Sequence, residues 1–301
     1  MIRRVAARDG VGYALADDGR GSALVLLHGF TGSGADWAPF VPMLARTTRV
    51  LRPDLLGHGA SDHPTDPARH DVARQAADIA AALRAEAIER IDLAGYSFGA
   101  RVALRLALDD PALVRSLFLE SPSAGFADPA ARAARRAADD ALAAELERDG
   151  IAAFVARWEA LPIFARERAL PPEVRERQRA ARLANDPAGL AASLRGAGQG
   201  VMAPMHGELG RLATPVTVLA GADDATGAGR AREVAAAVPG ARLVVVGDAG
   251  HAPHREKPER YVRELATHLV RTMEVCSRDS CAVHVPDDRP IPAPTPHRSP
   301  A

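Results

Sequence analysis

Short apolar runs alternate along the chain with longer, alanine-rich segments of helical period, and this alternation restricts the fold more than any other feature. The runs are rich in leucine and valine and are typical of buried strands; they span 23–27, 48–52, 90–95, 116–120, 215–221 and 242–247. The helical segments span 71–86, 98–109, 230–238 and 258–271. Strands that alternate with helices predict an α/β fold with a doubly wound, mostly parallel sheet.

The alternation stops over residues 125–195, where helical segments follow one another without a strand. Because this segment lies between two strands, we predict an inserted helical cap over the carboxyl ends of the strands, the edge where open α/β sheets bind ligands. An insertion without a role in binding would give the same pattern. The predicted organisation is a core of residues 1–124 and 196–272, the cap, and a disordered, proline-rich tail over 273–301.

Composition narrows the possible partners. The formal net charge is zero, which argues against nucleic acid as a ligand. No apolar run is long enough to span a membrane, and charges and glycines interrupt the first residues before a signal-peptide core can form, so a cytoplasmic protein is predicted. Cys276 and Cys281 are the only cysteines, and with His284 they lack the spacing and the fourth ligand of a zinc site, so no metal is expected. The oligomeric state stays open.

A candidate nucleophile lies where the run 90–95 meets the helix 98–109. The sequence GYSFG over residues 95–99 matches the pattern Gly-x-Ser-x-Gly, in which the serine occupies a strained turn between a strand and a helix. The hydroxyl of Ser97 would then stand exposed above the sheet. The backbone N–H of Phe98, at the start of the helix, can donate to a developing oxyanion.

The second oxyanion donor is expected from the loop that follows the run 23–27. There the sequence HGF leads to the backbone N–H of Phe30, and His28 is interpreted as a structural residue that packs this loop. A further glycine-rich loop spans residues 52–62. Three polar residues in it are expected to shape the loop and not to take part in the chemistry: Asp54, His58 and Ser61.

A serine nucleophile needs a base, and the base needs a carboxylate that orients it. With this architecture the chain order is serine, acid, histidine. The sequence GADD follows the run 215–221, and DAGHAPH follows the run 242–247. Since both come directly after a strand, we predict the triad Ser97, Asp224 and His251.

Spacing alone leaves alternatives to this triad. Asp223 is an alternative acid because it adjoins Asp224, and His254 is an alternative base. Asp248 and Glu120, which also follow strand ends, are weaker candidates for the acid.

The motifs HGF, GYSFG, GADD and GHAPH together resemble those of α/β-hydrolases. Three stretches around the cap resemble a narrower family, the 2-succinyl-6-hydroxy-2,4-cyclohexadiene-1-carboxylate synthases (MenH): LESPSAGFADPAARAARRAADD, FVARWEALPIFA and RQRAARLANDPAGLAASLRGAGQG. The similarity covers roughly residues 20 to 270. It implies the α/β-hydrolase fold and a cofactor-independent lyase of menaquinone (vitamin K2) biosynthesis that eliminates pyruvate from 2-succinyl-5-enolpyruvyl-6-hydroxy-3-cyclohexene-1-carboxylate.

The same resemblance implies substrate-binding roles for five residues beyond the triad: Tyr96, Arg101, Arg135, Trp158 and Arg182. Arg132 and Arg136 lie close enough to Arg135 to leave the register open. Arginine suits a substrate with several carboxylates because its planar fork forms two hydrogen bonds with a carboxylate and keeps its charge.

Simpler roles for these residues also fit the sequence. Cap arginines are frequently solvated partners in i,i+4 ion pairs, Arg101 could only hold the serine turn, and Trp158 could pack in the cap with its N–H satisfied. Two other functions also remain. A serine hydrolase that cleaves esters, lactones or carbon–carbon bonds would use the same triad through an acyl-enzyme, and a ligand-binding protein without catalysis would not need Ser97.

Overall fold

The computed structural model describes the backbone of residues 2–281 and the side chains of residues 2–272. Eight strands form one sheet: β1 Ile2–Ala6, β2 Gly12–Gly19, β3 Ser22–Leu27, β4 Thr48–Pro53, β5 Ile91–Tyr96, β6 Val114–Glu120, β7 Val216–Gly221 and β8 Arg242–Val246. Their order is β1-β2-β4-β3-β5-β6-β7-β8. Strand β2 runs antiparallel to both of its neighbours, and β3 to β8 are parallel. The predicted α/β fold with a mostly parallel sheet is confirmed.

Helices cover both faces of the sheet. The α-helices are α1 Val41–Leu44, α2 Val72–Ala85, α3 Phe98–Asp109, α4 Pro129–Ala160, α5 Pro172–Leu183, α6 Pro187–Ala197, α7 Ala225–Ala237, α8 Pro253–Glu256 and α9 Pro258–Cys281. Short 3₁₀ helices span Gly34–Phe40, Pro67–His70, Pro162–Phe164, Glu167–Ala169 and His206–Arg211. Apolar residues of α2, α3 and α7 pack on one face of the sheet, and those of α1 and α9 on the other. The central strands of the sheet are therefore buried on both sides, as continuous apolar strands require.

The six predicted strands and four predicted helices are all present, but two strands were missed. Strand β1, IRRVA, is an edge strand and alternates exposed with half-buried residues, and β2, GYALADDG, contains glycines and two adjacent aspartates, so neither forms a continuous apolar run. Helix α7 begins at Ala225, five residues before the predicted start at 230. The carboxylate of Asp224 caps it by accepting from the N–H of Gly227, which offsets the low helix propensity of the two glycines in its first turns.

Helices α4 to α6 all lie between β6 and β7. Helix α4 consists of two parts that meet at Gly150, where φ is 77°. Apolar side chains of α4 and α6 form a separate cluster: Ala143, Leu146, Phe154, Val155, Leu190, Ala191 and Leu194. Helix α6 packs closely on the core, since a Cβ at Gly196 would lie 1.8 Å from the carbonyl oxygen of Pro67. The helices between β6 and β7 are thus fixed to the sheet at one end.

Helix α9 extends to Cys281, past residue 273 where the disordered tail was expected to begin. That expectation is therefore wrong for 273–281. The chain contains neither proline nor glycine between Pro258 and Pro286, so nothing in the sequence ends the helix at the predicted boundary. The rest of the predicted tail, 282–301, lies outside the described residues.

Candidate active site

The serine turn is a tight, strained connection between β5 and α3. Ser97 has φ 51° and ψ −102°, a left-handed conformation that costs free energy for a residue with a side chain. A Cβ at Gly95 would lie 2.5 Å from the carbonyl oxygen of Gly99, and one at Gly99 would lie 2.4 Å from that of Leu27. Both glycines are needed for this close approach, which directs the Ser97 hydroxyl into a cavity above the sheet.

The serine, a histidine and a carboxylate form one hydrogen-bonded chain. The Oγ of Ser97 lies 3.0 Å from Nε2 of His251, and Nδ1 of His251 lies 2.6 Å from Oδ2 of Asp224. The other oxygen of Asp224 accepts from the N–H of Gly227 at 2.9 Å. Burial tends to raise the pKa of Asp224, but its hydrogen bond to His251 and the other interactions outweigh burial and lower that pKa. The carboxylate thus stays ionised and can stabilise a positively charged imidazole.

None of the alternative triad members contacts His251. Asp223 forms an ion pair with Arg166, which lies between β6 and β7, and the side chain of Asp248 is 80% exposed. His254 is buried and contacts Glu120, with Nδ1 2.9 Å from Oε1. The geometry therefore selects Asp224 and His251 among the candidates.

Glu120 and His254 form a buried pair behind the triad. Burial raises the pKa of Glu120 to about 8, and burial also lowers the pKa of His254 well below its usual value. Both side chains are therefore neutral at pH 7, which avoids the cost of two buried charges.

We expect this pair to make stability depend on pH. Glu120 has a higher pKa in the folded protein than in the unfolded chain, so its contribution is complete below pH 4.5 and is lost as the pH rises towards 8. Glu120→Gln should abolish this loss, on the order of 1 kcal/mol per pH unit over that interval. Urea unfolding between pH 5 and pH 9 would measure it, with the exposed Glu89→Gln as control. Equal pH dependence in the wild type and Glu120→Gln would contradict the expectation.

Phe30 and Phe98, whose backbone N–H groups are the predicted oxyanion donors, both line the cavity that contains Ser97. Phe98 begins α3, and Phe30 lies in the loop after β3. His28 holds this loop: its Nε2 accepts from the N–H of Leu55 at 2.8 Å, so its Nδ1 donates to the carbonyl oxygen of Gly29 at 2.8 Å. The interpretation of His28 as a structural residue agrees with these bonds.

The three polar residues of the loop after β4 bind backbone groups. Asp54 accepts from the N–H groups of Gly34 and Ala60, and the hydroxyl of Ser61 donates to the carbonyl oxygen of Asp54. His58 is buried, with its ring 5.4 Å from that of Phe30. These contacts fit the predicted role in shaping the loop.

All five predicted substrate-binding residues line the cavity above Ser97, but their surroundings differ. Arg101 is buried and has no carboxylate partner among the described residues; it donates to the carbonyl oxygen of Ala197 at 2.5 Å. Burial, and then the charge of Arg135, lower the pKa of Arg101 to about 9. The sequence left the choice open among Arg132, Arg135 and Arg136. Of these, only Arg135 lines the cavity, and its Nε donates to Asp139 at 2.8 Å.

Arg182 is neutralised by two carboxylates. Its guanidinium donates to Glu167 at 2.7 Å and to Glu159 at 3.1 Å. Glu167 in turn accepts from Arg255, four residues after the histidine of the triad, and Arg255 also donates to Asp36. This network joins the helical segment between β6 and β7 to residues that follow β3 and β8, and it leaves Arg182 little charge to offer a ligand.

Aromatic residues also line the cavity. Trp158 stacks on Phe154 at 5.6 Å, and its indole nitrogen is buried without a hydrogen-bond partner in the described part of the chain. The alternative role for Trp158, in which a neighbouring residue accepts a hydrogen bond from its N–H, is therefore not observed among the described residues. The ring of Tyr96 lies 5.4 Å from that of His251.

Two further arginines line the cavity and were missed. Arg255 comes four residues after His251, and Arg230 lies on α7 six residues after Asp224. The helical spacing of Arg230 from Gly227 could have indicated that both face the same way, but the late predicted start of this helix concealed it.

No group of three His, Cys, Asp or Glu residues that could hold a metal ion occurs among the described residues. The side chains of Cys276, Cys281 and His284 are outside that set. Across the same part of the chain, no helix has the length and apolar character needed to cross a membrane.

The fold and the triad define a class of protein, and sequence comparison agrees. The Alpha/beta hydrolase family matches residues 24–264, so this chain belongs to that family and is an enzyme of the α/β-hydrolase fold.

More specific relatives place it within one branch. A Bacillus subtilis (strain 168) protein, whose name assigns it provisionally as a 2-succinyl-6-hydroxy-2,4-cyclohexadiene-1-carboxylate synthase, is 36% identical over 267 residues, which cover 88% of this chain and 97% of that protein. A Pectobacterium atrosepticum protein with this synthase name is 34% identical over 82% of this chain and 93% of its own length. The structure of MenH from S. aureus superimposes with a TM-score of 0.82 at 29% identity, covering 87% of this chain and 98% of that one. The chain belongs to the family of these synthases.

Proposed function

We propose that this enzyme is a 2-succinyl-6-hydroxy-2,4-cyclohexadiene-1-carboxylate synthase of menaquinone biosynthesis, a lyase that acts on a small polycarboxylate. One observation carries the proposal: the Ser97 hydroxyl and His251 open into a cavity whose cationic lining includes Arg101 and Arg135. A hydrolase of neutral esters would gain nothing from burying an arginine without a carboxylate partner, because its desolvation costs free energy. A polycarboxylate supplies the missing partner.

The chemical name of the proposed substrate indicates the reaction. A proton on ring carbon 2 lies next to the ketone of the succinyl group and is therefore acidic. When it is removed, the C–H electrons form a new double bond, the ring double bond shifts towards carbon 5, and the bond from carbon 5 to the enolpyruvyl oxygen breaks. The leaving enolate takes up a proton and becomes pyruvate. Atoms balance without water, and neither a metal nor a cofactor is required.

The triad is the proposed base. The Oγ of Ser97 and Nε2 of His251 are 3.0 Å apart, so a proton that leaves the substrate ends on the imidazole, and the ionised Asp224 stabilises the resulting charge. Negative charge builds on the succinyl carbonyl oxygen. The backbone N–H groups of Phe30 and Phe98 are the proposed donors to that oxygen.

The remaining side chains are proposed to bind and orient the substrate. Arg101 and Arg135 would bind carboxylates, and the unpaired indole N–H of Trp158 offers a further donor. Tyr96 would pack beside His251, and Arg182 is proposed to act with Glu167 in holding the cap over the site. The proposal also assigns residues 125–195 as a cap on a core of 1–124 and 196–272, and the cytoplasm as the compartment.

Release of pyruvate tests the proposal. The substrate would be generated in situ and pyruvate followed through lactate dehydrogenase and NADH. We expect rapid release by the wild type and a loss in kcat/KM of roughly 10- to 100-fold in Arg135→Ala, because a charge-assisted hydrogen bond to a carboxylate is removed.

Arg136→Ala is the matched control. Arg136 adjoins Arg135 on α4, but its side chain is 65% exposed and its one ion-pair partner among the described residues is Asp140. It should stay within about twofold of the wild type. If the wild type releases no pyruvate but cleaves 4-nitrophenyl acetate with a burst, the enzyme is a serine hydrolase that forms an acyl-enzyme, and the proposal is wrong.

A further inference from the structure

Arg230 is a cavity residue that the resemblance does not cover. It lies on α7 and shares one face of that helix with Thr226 and Gly227, since residues three and four apart in a helix point the same way. All three line the cavity together with Asp224, which caps the helix. The guanidinium of Arg230 lies 4.9 Å from the ring centre of Phe126, a contact that orients its fork.

The charges around the cavity are unevenly paired. Five arginines line it: Arg101, Arg135, Arg182, Arg230 and Arg255. Arg182 and Arg255 both pair with the buried carboxylate of Glu167, and Arg255 also pairs with that of Asp36. Arg230 has neither an ion pair nor a hydrogen bond among the described residues, although it is half-buried.

Arg230 and Arg135 line the same cavity, and both carry positive charge. Burial, and then the positive charge of Arg135, lower the pKa of Arg230. Arg135 donates to Asp139 through its Nε, so the two terminal NH₂ groups of Arg135 remain available to a ligand. Two cations that line one cavity repel each other, although the charges of Asp224 and Glu233 partly offset that of Arg230. A carboxylate bound between the two guanidinium groups would attract both of them.

We propose that Arg230 is a further substrate-binding residue, and that it forms with Arg135 a subsite that binds one carboxylate of the substrate between the two guanidinium groups. This inference rests on the proposed function for the identity of the substrate, but the subsite itself requires only a ligand with a carboxylate. It places one acid arm of the ligand between α4 and α7, on the side of the cavity next to Asp224. The ring would then lie between this arm and Ser97.

Binding of a stable ligand tests the subsite without turnover. The probe is 2-succinylbenzoate, an aromatic dicarboxylate with the two acid groups of the product that the relatives' name gives. We expect Arg230→Gln to raise its Kd by roughly 10- to 100-fold in calorimetry, and to raise KM for pyruvate release by a similar factor with kcat within about threefold. Arg230→Lys should recover part of the affinity because it restores the charge but not the fork.

Arg232→Gln is the matched control, because Arg232 lies on the same helix and is exposed. It should leave Kd within about twofold, and both variants should melt near the wild-type temperature. Equal Kd values in Arg230→Gln and Arg232→Gln would overturn the proposal. The double variant gives a second test. If its loss of binding free energy equals the sum of the losses in Arg135→Gln and Arg230→Gln, the proposal is also overturned, because two residues that hold one carboxylate must be coupled.

The outcomes for the subsite and for the proposed function can be told apart. A wild type that binds 2-succinylbenzoate through Arg230 but releases no pyruvate retains the carboxylate subsite and refutes the lyase. A wild type that releases pyruvate while Arg230→Gln binds and reacts normally refutes the subsite and retains the lyase.

Discussion

Ser97→Ala should lower kcat for pyruvate release by on the order of 10³-fold, because it removes the hydroxyl that links the cavity to the base. Ser97 lines the cavity, and Nε2 of His251 lies 3.0 Å from its Oγ. Alanine keeps the side-chain Cβ at φ 51°, so the turn itself should persist. Stopped-flow or coupled assays of pyruvate release, with saturating substrate, measure the effect.

The variant also separates catalysis from binding. The Kd for 2-succinylbenzoate should change by less than about threefold in Ser97→Ala, since the arginines that bind carboxylates are intact. Retention of more than about a tenth of wild-type kcat would show that His251 takes the proton without the serine hydroxyl. In that case the triad would act as a histidine–aspartate pair.

Asp224→Asn should have a comparable effect, a loss of about 10³- to 10⁴-fold in kcat, of the size that the same change causes in other triads. The carboxylate caps α7 through Oδ1 and binds His251 through Oδ2. An asparagine that keeps the cap with its oxygen must present its NH₂ group to Nδ1 of His251. The imidazole would then carry its proton on Nε2, next to Ser97, and could not accept another one there.

The neighbouring residue provides the control for this prediction. Asp223→Asn changes the same functional group one position earlier, but Asp223 pairs with Arg166. Activity should stay within about threefold of the wild type, because this exposed ion pair does not contact His251. Equal losses in the two variants would contradict the assignment of Asp224, and a crippled Asp223→Asn with an active Asp224→Asn would reverse it.

The positions of the triad followed from the sequence because they depend on local patterns. Each of Ser97, Asp224 and His251 comes at or just after the end of an apolar strand, and the carboxyl ends of parallel strands meet at one edge of a sheet. Gly95 and Gly99, on either side of the serine, indicated positions where the backbone packs too closely for a Cβ. Strands β1 and β2 escaped prediction because their charged or glycine-containing sequences are similar in composition to loops, and of the two only β1 is an edge strand.

The sequence by itself determined the fold, the family and where the serine, the acid and the histidine stand along the chain, since strand runs, helical periods and tight turns are encoded over a few residues. Only the tertiary structure decided which charges remain available. Arg182 matched the family motif, yet it pairs with carboxylates 15 and 23 positions away, while Arg230 matched no motif and lines the cavity together with Arg135. Ion pairs depend on distances through space between side chains far apart in sequence, and no local pattern in an arginine-rich chain reports those distances.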